Sequence, residues 1–140
     1  MRLLVLLTTS ELENKILNEV LKIEDICDIS GIIFDENISN GRDGTYIFAN
    51  SQGYHYVQLE RGSEEVHKVT DDVFEICFWC LYELTSKAAF DYEFAHRGDG
   101  KLNYRKVAFA KQLDYLYQVD ENFKKRGEIE IDENLKVNPL

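Results

Sequence analysis

The chain has 140 residues, 26 acidic against 16 basic, and a formal charge of −10. Such a length suits one domain with its own core, and 44% hydrophobic residues with a single proline exclude an acidic disordered tail or a proline-rich scaffold. The negative field repels phosphate, which argues against nucleic acid and anionic membrane, and it attracts basic proteins.

Residues 1–10 (MRLLVLLTTS) begin like a signal peptide. Five apolar residues fall short of the roughly 7–15 of a true hydrophobic region, and no small-residue cleavage site follows. Residues 3–7 are expected to form a short core segment instead. Ser10 and Glu13 read as a capping box. Beyond them Leu12, Ile16, Val20 and Ile23 recur at helical spacing, widened by Leu17 and Leu21, and predict a helix over about residues 11–26.

The period then changes. Residues 31–35 (GIIFD), 45–50 (TYIFAN), 54–61 (YHYVQLER) and 64–70 (EEVHKVT) are strand candidates, with turns at Ser51-Gln52-Gly53 and Gly62-Ser63. Alternation puts Tyr54, Tyr56, Gln58 and Glu60 on one face and His55, Val57 and Leu59 on the other. The second set is the expected core face, leaving Tyr54 and Tyr56 outward. Thr70-Asp71-Asp72 is a helix start, with a capping hydroxyl followed by carboxylates where the helix dipole favours them. The helix it opens, about 71–97, is apolar nearly all round from residue 73 to 84 and is therefore central. Arg97-Gly98-Asp99-Gly100 stops it. A further helix over about 103–119 is expected to bury Val107, Ala110, Leu113, Leu116 and Tyr117, with Phe109 adjoining. Residues 121–137 are ambiguous, because Gly127 disfavours a helix and residues 128–132 (EIEID) alternate like a strand. The expected architecture is a single α+β domain over residues 1–140: a small antiparallel meander of three to four strands, an N-terminal helix and three C-terminal helices.

No run reaches the ~20 apolar residues of a membrane span. Cys27, Cys77 and Cys80 suggest no disulfide framework. The expected compartment is therefore the cytoplasm. Cys77-Phe78-Trp79-Cys80 is a CxxC without a second pair or a thioredoxin-like context, and inside an apolar helix it reads as core. His55, His67 and His96 have no metal-ligand spacing. Asp91 and Glu93, near His96, lie two apart and so face different sides of a helix. Residues 97–101 lack the glycine spacing of a phosphate loop, and Lys124-Lys125-Arg126 reads as a solvated helix face. No nucleophile elbow, Walker or dinucleotide motif occurs. Catalysis, a cofactor and a metal are accordingly not expected.

The charge itself is uneven. Residues 1–100 carry 19 acids and 8 bases, a net of −11; residues 101–140 carry 7 acids and 8 bases, a net of +1. Glu60, Glu64, Glu65, Asp71 and Asp72 gather around the last hairpin and the next helix start. With Tyr54 and Tyr56 as aromatic anchors, they make the expected surface for a basic protein partner; the alternative is that these tyrosines lie under a helix and the acids only solubilise.

Several segments together resemble the Immunity protein 63 family of bacterial polymorphic-toxin systems. They are residues 44–48 (GTYIF), 53–57 (GYHYV), Glu60-Arg61-Gly62, Thr70-Asp71-Asp72, Phe78-Trp79, 89–97 (AFDYEFAHR) and 103–116 (NYRKVAFAKQLDYL), then Glu128-Ile129, Leu135 and Asn138-Pro139. The insert-like residues 98–102, Tyr104 in place of Phe, and Gly127 depart from the family pattern. The resemblance implies a helix for the last segment. It also implies an intracellular antidote that binds a cognate toxin domain without turnover, as a monomer or homodimer, in a system of the contact-dependent inhibition kind. A nuclease toxin, with its basic substrate groove, would suit an acidic inhibitor. The alternatives are a regulatory adaptor and a metal-free hydrolase built on Asp91, Glu93 and His96.

Overall fold

A computed structural model of the protein describes residues 5–38, 42–98 and 103–140. In chain order they form α1 (Thr9–Val20), a 3-10 turn (Leu21–Ile23), β1 (Ile32–Ile33), β2 (Gly44–Asn50), β3 (Gly53–Glu60), β4 (Ser63–Thr70), α2 (Val73–His96), α3 (Tyr104–Val119) and α4 (Glu121–Val137). This is an α+β fold, a four-stranded sheet with one helix before it and three after. The chain divides into two compact units. One takes the residues up to Asn18 with Asp28–Trp79, and the second takes Glu19–Cys27 with Cys80–Leu140.

In the first unit, α1 starts two residues earlier than the Ser10 box implies. Thr8 and Glu11 cap it reciprocally: the Glu11 N–H donates to Thr8 Oγ1 (3.1 Å) and the Thr8 N–H to Glu11 Oε1 (2.9 Å). Leu12 and Ile16 are fully buried, as the helical stripe requires. Of the expected core segment at residues 3–7, Val5 is 86% exposed, and residues 3 and 4 lie outside the described residues.

The sheet order is β1-β2-β3-β4, with β1 parallel to β2 and the other pairs antiparallel. Two-residue turns set the registers. Ser51 and Gln52 join β2 to β3, closing on Asn50↔Gly53. Arg61 and Gly62, at φ 53° and 77°, join β3 to β4 in the positive-φ geometry that matches strand twist. A left-handed conformation is unfavourable for Arg61, and Asp43 offsets this by accepting the Arg61 N–H through Oδ1 at 2.9 Å.

The expected core face of β3 is buried, His55, Val57 and Leu59 included, but the outward placement of Tyr54 and Tyr56 is overturned, because β2 and β3 are covered on both faces. Tyr46, Phe48, Val57 and Leu59 cluster on one side, with Ile33 and Ile38 packed against them. On the other side Tyr54 and Tyr56 are 2% and 5% exposed. The Leu7 N–H donates to the Tyr54 hydroxyl (2.8 Å), and the Trp79 indole meets the Tyr56 ring edge-on at 6.1 Å. Strand alternation identifies the solvent face only when one face is solvated, and along β3 neither is.

α2 begins with Asp72 rather than Thr70 as its cap. Asp72 Oδ1 accepts the Phe74 N–H at 2.9 Å, while Thr70 Oγ1 accepts the Asp72 N–H at 3.1 Å. The helix ends at His96; of the expected stop signal, Asp99 and Gly100 lie outside the described residues, as does Lys101.

In the second unit, the buried side of α3 is Ala108, Gln112, Tyr115, Leu116 and Val119. Val107 and Tyr117, expected inside, are 49% and 59% exposed, and Ala110 is exposed as well. The stripe is rotated because Gln112 is taken inward by hydrogen bonds: its Nε2 donates to the Tyr82 carbonyl (3.0 Å) and to Thr85 Oγ1 (3.3 Å). Residues 121–137 are helix throughout, and the strand-like alternation of residues 128–132 does not prevail. Asp120 caps α4 by accepting the Asn122 N–H at 2.7 Å. Gly127 is where α3 comes close, since an added Cβ would lie 2.5 Å from Leu116 Cδ1. Arg105 holds the chain end by donating to the Asn138 and Pro139 carbonyls.

Candidate docking surface

The β3–β4 hairpin and the start of α2 carry the residues singled out for binding. Glu60, Glu64, Glu65, Asp71 and Asp72 are all exposed. Tyr54 and Tyr56 are not available beside them. Both are core side chains, and the Tyr56 hydroxyl accepts from Gln58 Nε2 at 2.9 Å. Their size and apolar rings are better satisfied beneath Trp79 and the N-terminal segment than in water. The surface is therefore acidic without the two aromatic anchors. Lys68 also lies within it, its ammonium 4.3 Å from the Trp79 ring and 4.9 Å from the Tyr56 ring.

A polar chain that no linear motif announces runs across this hairpin. His55 is buried and stacked on Phe48, with ring centroids 4.6 Å apart. Its Nε2 meets Asn50 Oδ1 at 2.8 Å, its Nδ1 meets His67 Nε2 at 3.0 Å, and His67 Nδ1 lies 3.4 Å from Glu64 Oε2. The tautomers follow from Asn50, whose Oδ1 also accepts the Gln52 N–H at 2.9 Å and so must be the oxygen. His55 thus donates from Nε2 and accepts at Nδ1, and His67 donates from Nε2. Burial, together with the neighbouring His67, holds the His55 pKa below the ordinary histidine value. The Arg61-Gly62 turn contained the signal for this chain, because the hairpin register makes His55 and His67 diagonal neighbours on one face.

Asp91 separates from Glu93 and His96. Asp91 is exposed, whereas Glu93 and His96 line a cavity of about 360 Å3 with Tyr92, Arg97, Asn103, Tyr104 and Val107. Glu93 is engaged there by Arg97 in a two-pronged pair, Nε to Oε1 at 2.7 Å and Nη2 to Oε2 at 2.6 Å. These hydrogen bonds hold its carboxyl below the ordinary value, against the opposing effect of burial. His96 Nδ1 donates to the Tyr92 carbonyl at 2.8 Å, and its ring stacks on Tyr92. A carboxylate locked by a guanidinium is a poor general base.

Cys77 and Cys80 are buried, and burial pushes the Cys27 thiol up to about 11, so it remains protonated at neutral pH. Among the described residues, no group of three or more His, Cys, Asp or Glu is placed to hold a metal ion. Among them, too, no helix is long and apolar enough to cross a membrane.

No curated protein and no solved structure gives a significant match to the chain. The sequence model of the Immunity protein 63 family does, over residues 50–133, a span running from the end of β2 through most of α4. That span is more than half of the 140 residues, and the chain belongs to the Immunity protein 63 family.

Proposed function

We propose that this immunity protein acts in the cytoplasm as a single domain. On this reading it neutralises a cognate toxin domain by binding it, without catalysis, and engages a basic surface of that toxin through Glu60, Glu64, Glu65, Asp71 and Asp72. Family membership supports the antidote role. The observation that carries the surface is the exposure of all five acids on one hairpin and the adjoining helix start. Concentrated charge of one sign accelerates encounter with a partner of opposite sign. A nuclease is the toxin class that fits best, because its groove must be basic to hold phosphate, and an acidic surface can occlude it.

The test is association of the purified protein with the toxin domain encoded beside its gene. Replacing Glu64 and Glu65 by Gln, and Asp71 and Asp72 by Asn, removes charge without changing shape. The association rate is expected to fall about tenfold or more at low salt. Added salt should slow the wild-type protein much more than the variant. Equal rates for both proteins at every ionic strength would remove the acidic surface from the mechanism.

A further inference from the structure

The sheet has two very different edges. β1 is two residues long, whereas β4 has eight residues, and among the described residues no strand pairs with its outer side. The hydrogen-bonding direction along β4 follows from the hairpin before it. A two-residue turn closes on a pair that exchanges hydrogen bonds, here Asn50↔Gly53. Alternation then turns the backbone groups of Tyr54 and Tyr56 toward β4, onto Thr70 and Lys68. His67 and Val69 are left with their N–H and C=O groups directed outward. Both side chains are exposed, Val69 by 46%.

Such an edge is a template for another strand, and its charges decide which one. A second copy pairing antiparallel through these outward groups sets His67 of one chain against Val69 of the other. The same two-fold then brings Glu65 to Asp71 and Glu64 to Asp72, acid against acid at both ends. Like charges directly opposed are destabilising, so self-pairing is disfavoured. A strand with basic residues at its two ends meets the reverse situation.

We propose that the outer edge of β4 is a docking edge on which an extended, basic-ended segment of the cognate toxin domain adds as a fifth strand. Main-chain hydrogen bonds from His67 and Val69 would supply register and affinity, with the flanking acids selecting the segment. This rests on the toxin-binding reading above and specifies how the contact is made.

The probe is the toxin domain encoded beside the gene. On binding it, the His67 and Val69 amides of the wild-type protein should exchange at least tenfold more slowly with solvent. Val69→Pro removes an outward N–H that the sheet does not use, and proline is tolerated at such positions. It should weaken binding at least tenfold, whereas Val69→Thr, which keeps the N–H, should not. A second arm needs no toxin. Glu64→Lys with Glu65→Lys makes the two ends of the edge complementary to each other. That variant should show about twice the mass of the wild-type protein in sedimentation, and adding Val69→Pro should restore the wild-type value.

If the wild-type protein binds the toxin domain with both amides unprotected, the edge proposal fails while the antidote role stands. If the wild-type protein does not bind at all, the toxin-binding reading fails and the occupant with it. A doubly reversed variant that keeps the wild-type mass overturns the charge argument that selects the occupant.

Discussion

Replacing Gly127 by alanine sets two effects of similar size against each other. Glycine within a helix costs about 1 kcal/mol relative to alanine, so the substitution should stabilise α4 considered alone. The new Cβ, however, would lie 2.5 Å from Leu116 Cδ1 and 3.3 Å from Leu113 Cδ2, where carbons rest about 3.5–4.0 Å apart. Leu116 is fully buried, so its methyl must retreat about 1 Å into filled space, and overpacking of that kind costs about 1–3 kcal/mol. The balance runs from neutral to about 2 kcal/mol of destabilisation, a fall in Tm of up to about 6 °C for a chain of this size. Leu116→Ala costs about 2–5 kcal/mol by itself, but it removes the atom in the way. In that background Gly127→Ala should become stabilising by about 1 kcal/mol. Urea denaturation of the four proteins of this cycle reads the coupling directly, and about 1–3 kcal/mol is expected. The same Gly127→Ala effect in both backgrounds would refute the steric account.

The cap that Asp72 supplies is separable from its charge. Asp72→Ala loses the cap on the Phe74 N–H and should cost about 1 kcal/mol of stability in a thermal melt. Asp72→Asn keeps the cap and should melt within about 0.5 kcal/mol of the wild-type protein. Stability should also decline with acid before the carboxylates titrate. In the fold, burial and His67 hold the His55 pKa below the ordinary value of 6.5. The unfolded chain therefore takes up this proton first, and the contribution of neutral His55, complete above pH 6.5, is lost as pH falls through the lower folded value. Denaturation midpoints between pH 7.5 and pH 5, compared with those of His55→Gln, check this; the variant should lack that part of the slope.

The element order was legible because its signals are local: two short turns, an acid-led helix start and a hydroxyl-rich helix entry. Positions within elements were less so. Thr8–Glu11 and Ser10–Glu13 both have the spacing of a capping box, and only the structure shows that the first pair is used. The acids of the candidate surface were legible as acids, and exposure followed from their charge. The tyrosines were misplaced because the alternation of Tyr54, His55, Tyr56 and Val57 does not distinguish two covered faces. Gln112 is polar and outside the apolar stripe, yet it is fully buried and sets the rotation of α3. The helix at residues 121–137 was ambiguous by periodicity and implied by the family resemblance; why a glycine sits within it is a tertiary matter, the close approach of Leu116, which periodicity does not show.

Trp79 is the only tryptophan in the chain, and its indole lies beneath the Lys68 ammonium of β4. Indole emission responds to a cation held over its face and to the water around it. A segment seated along β4 would shift the strand that carries Lys68, and the spectrum would register it. The protein therefore contains its own optical probe of that edge, readable in a titration with unlabelled partner.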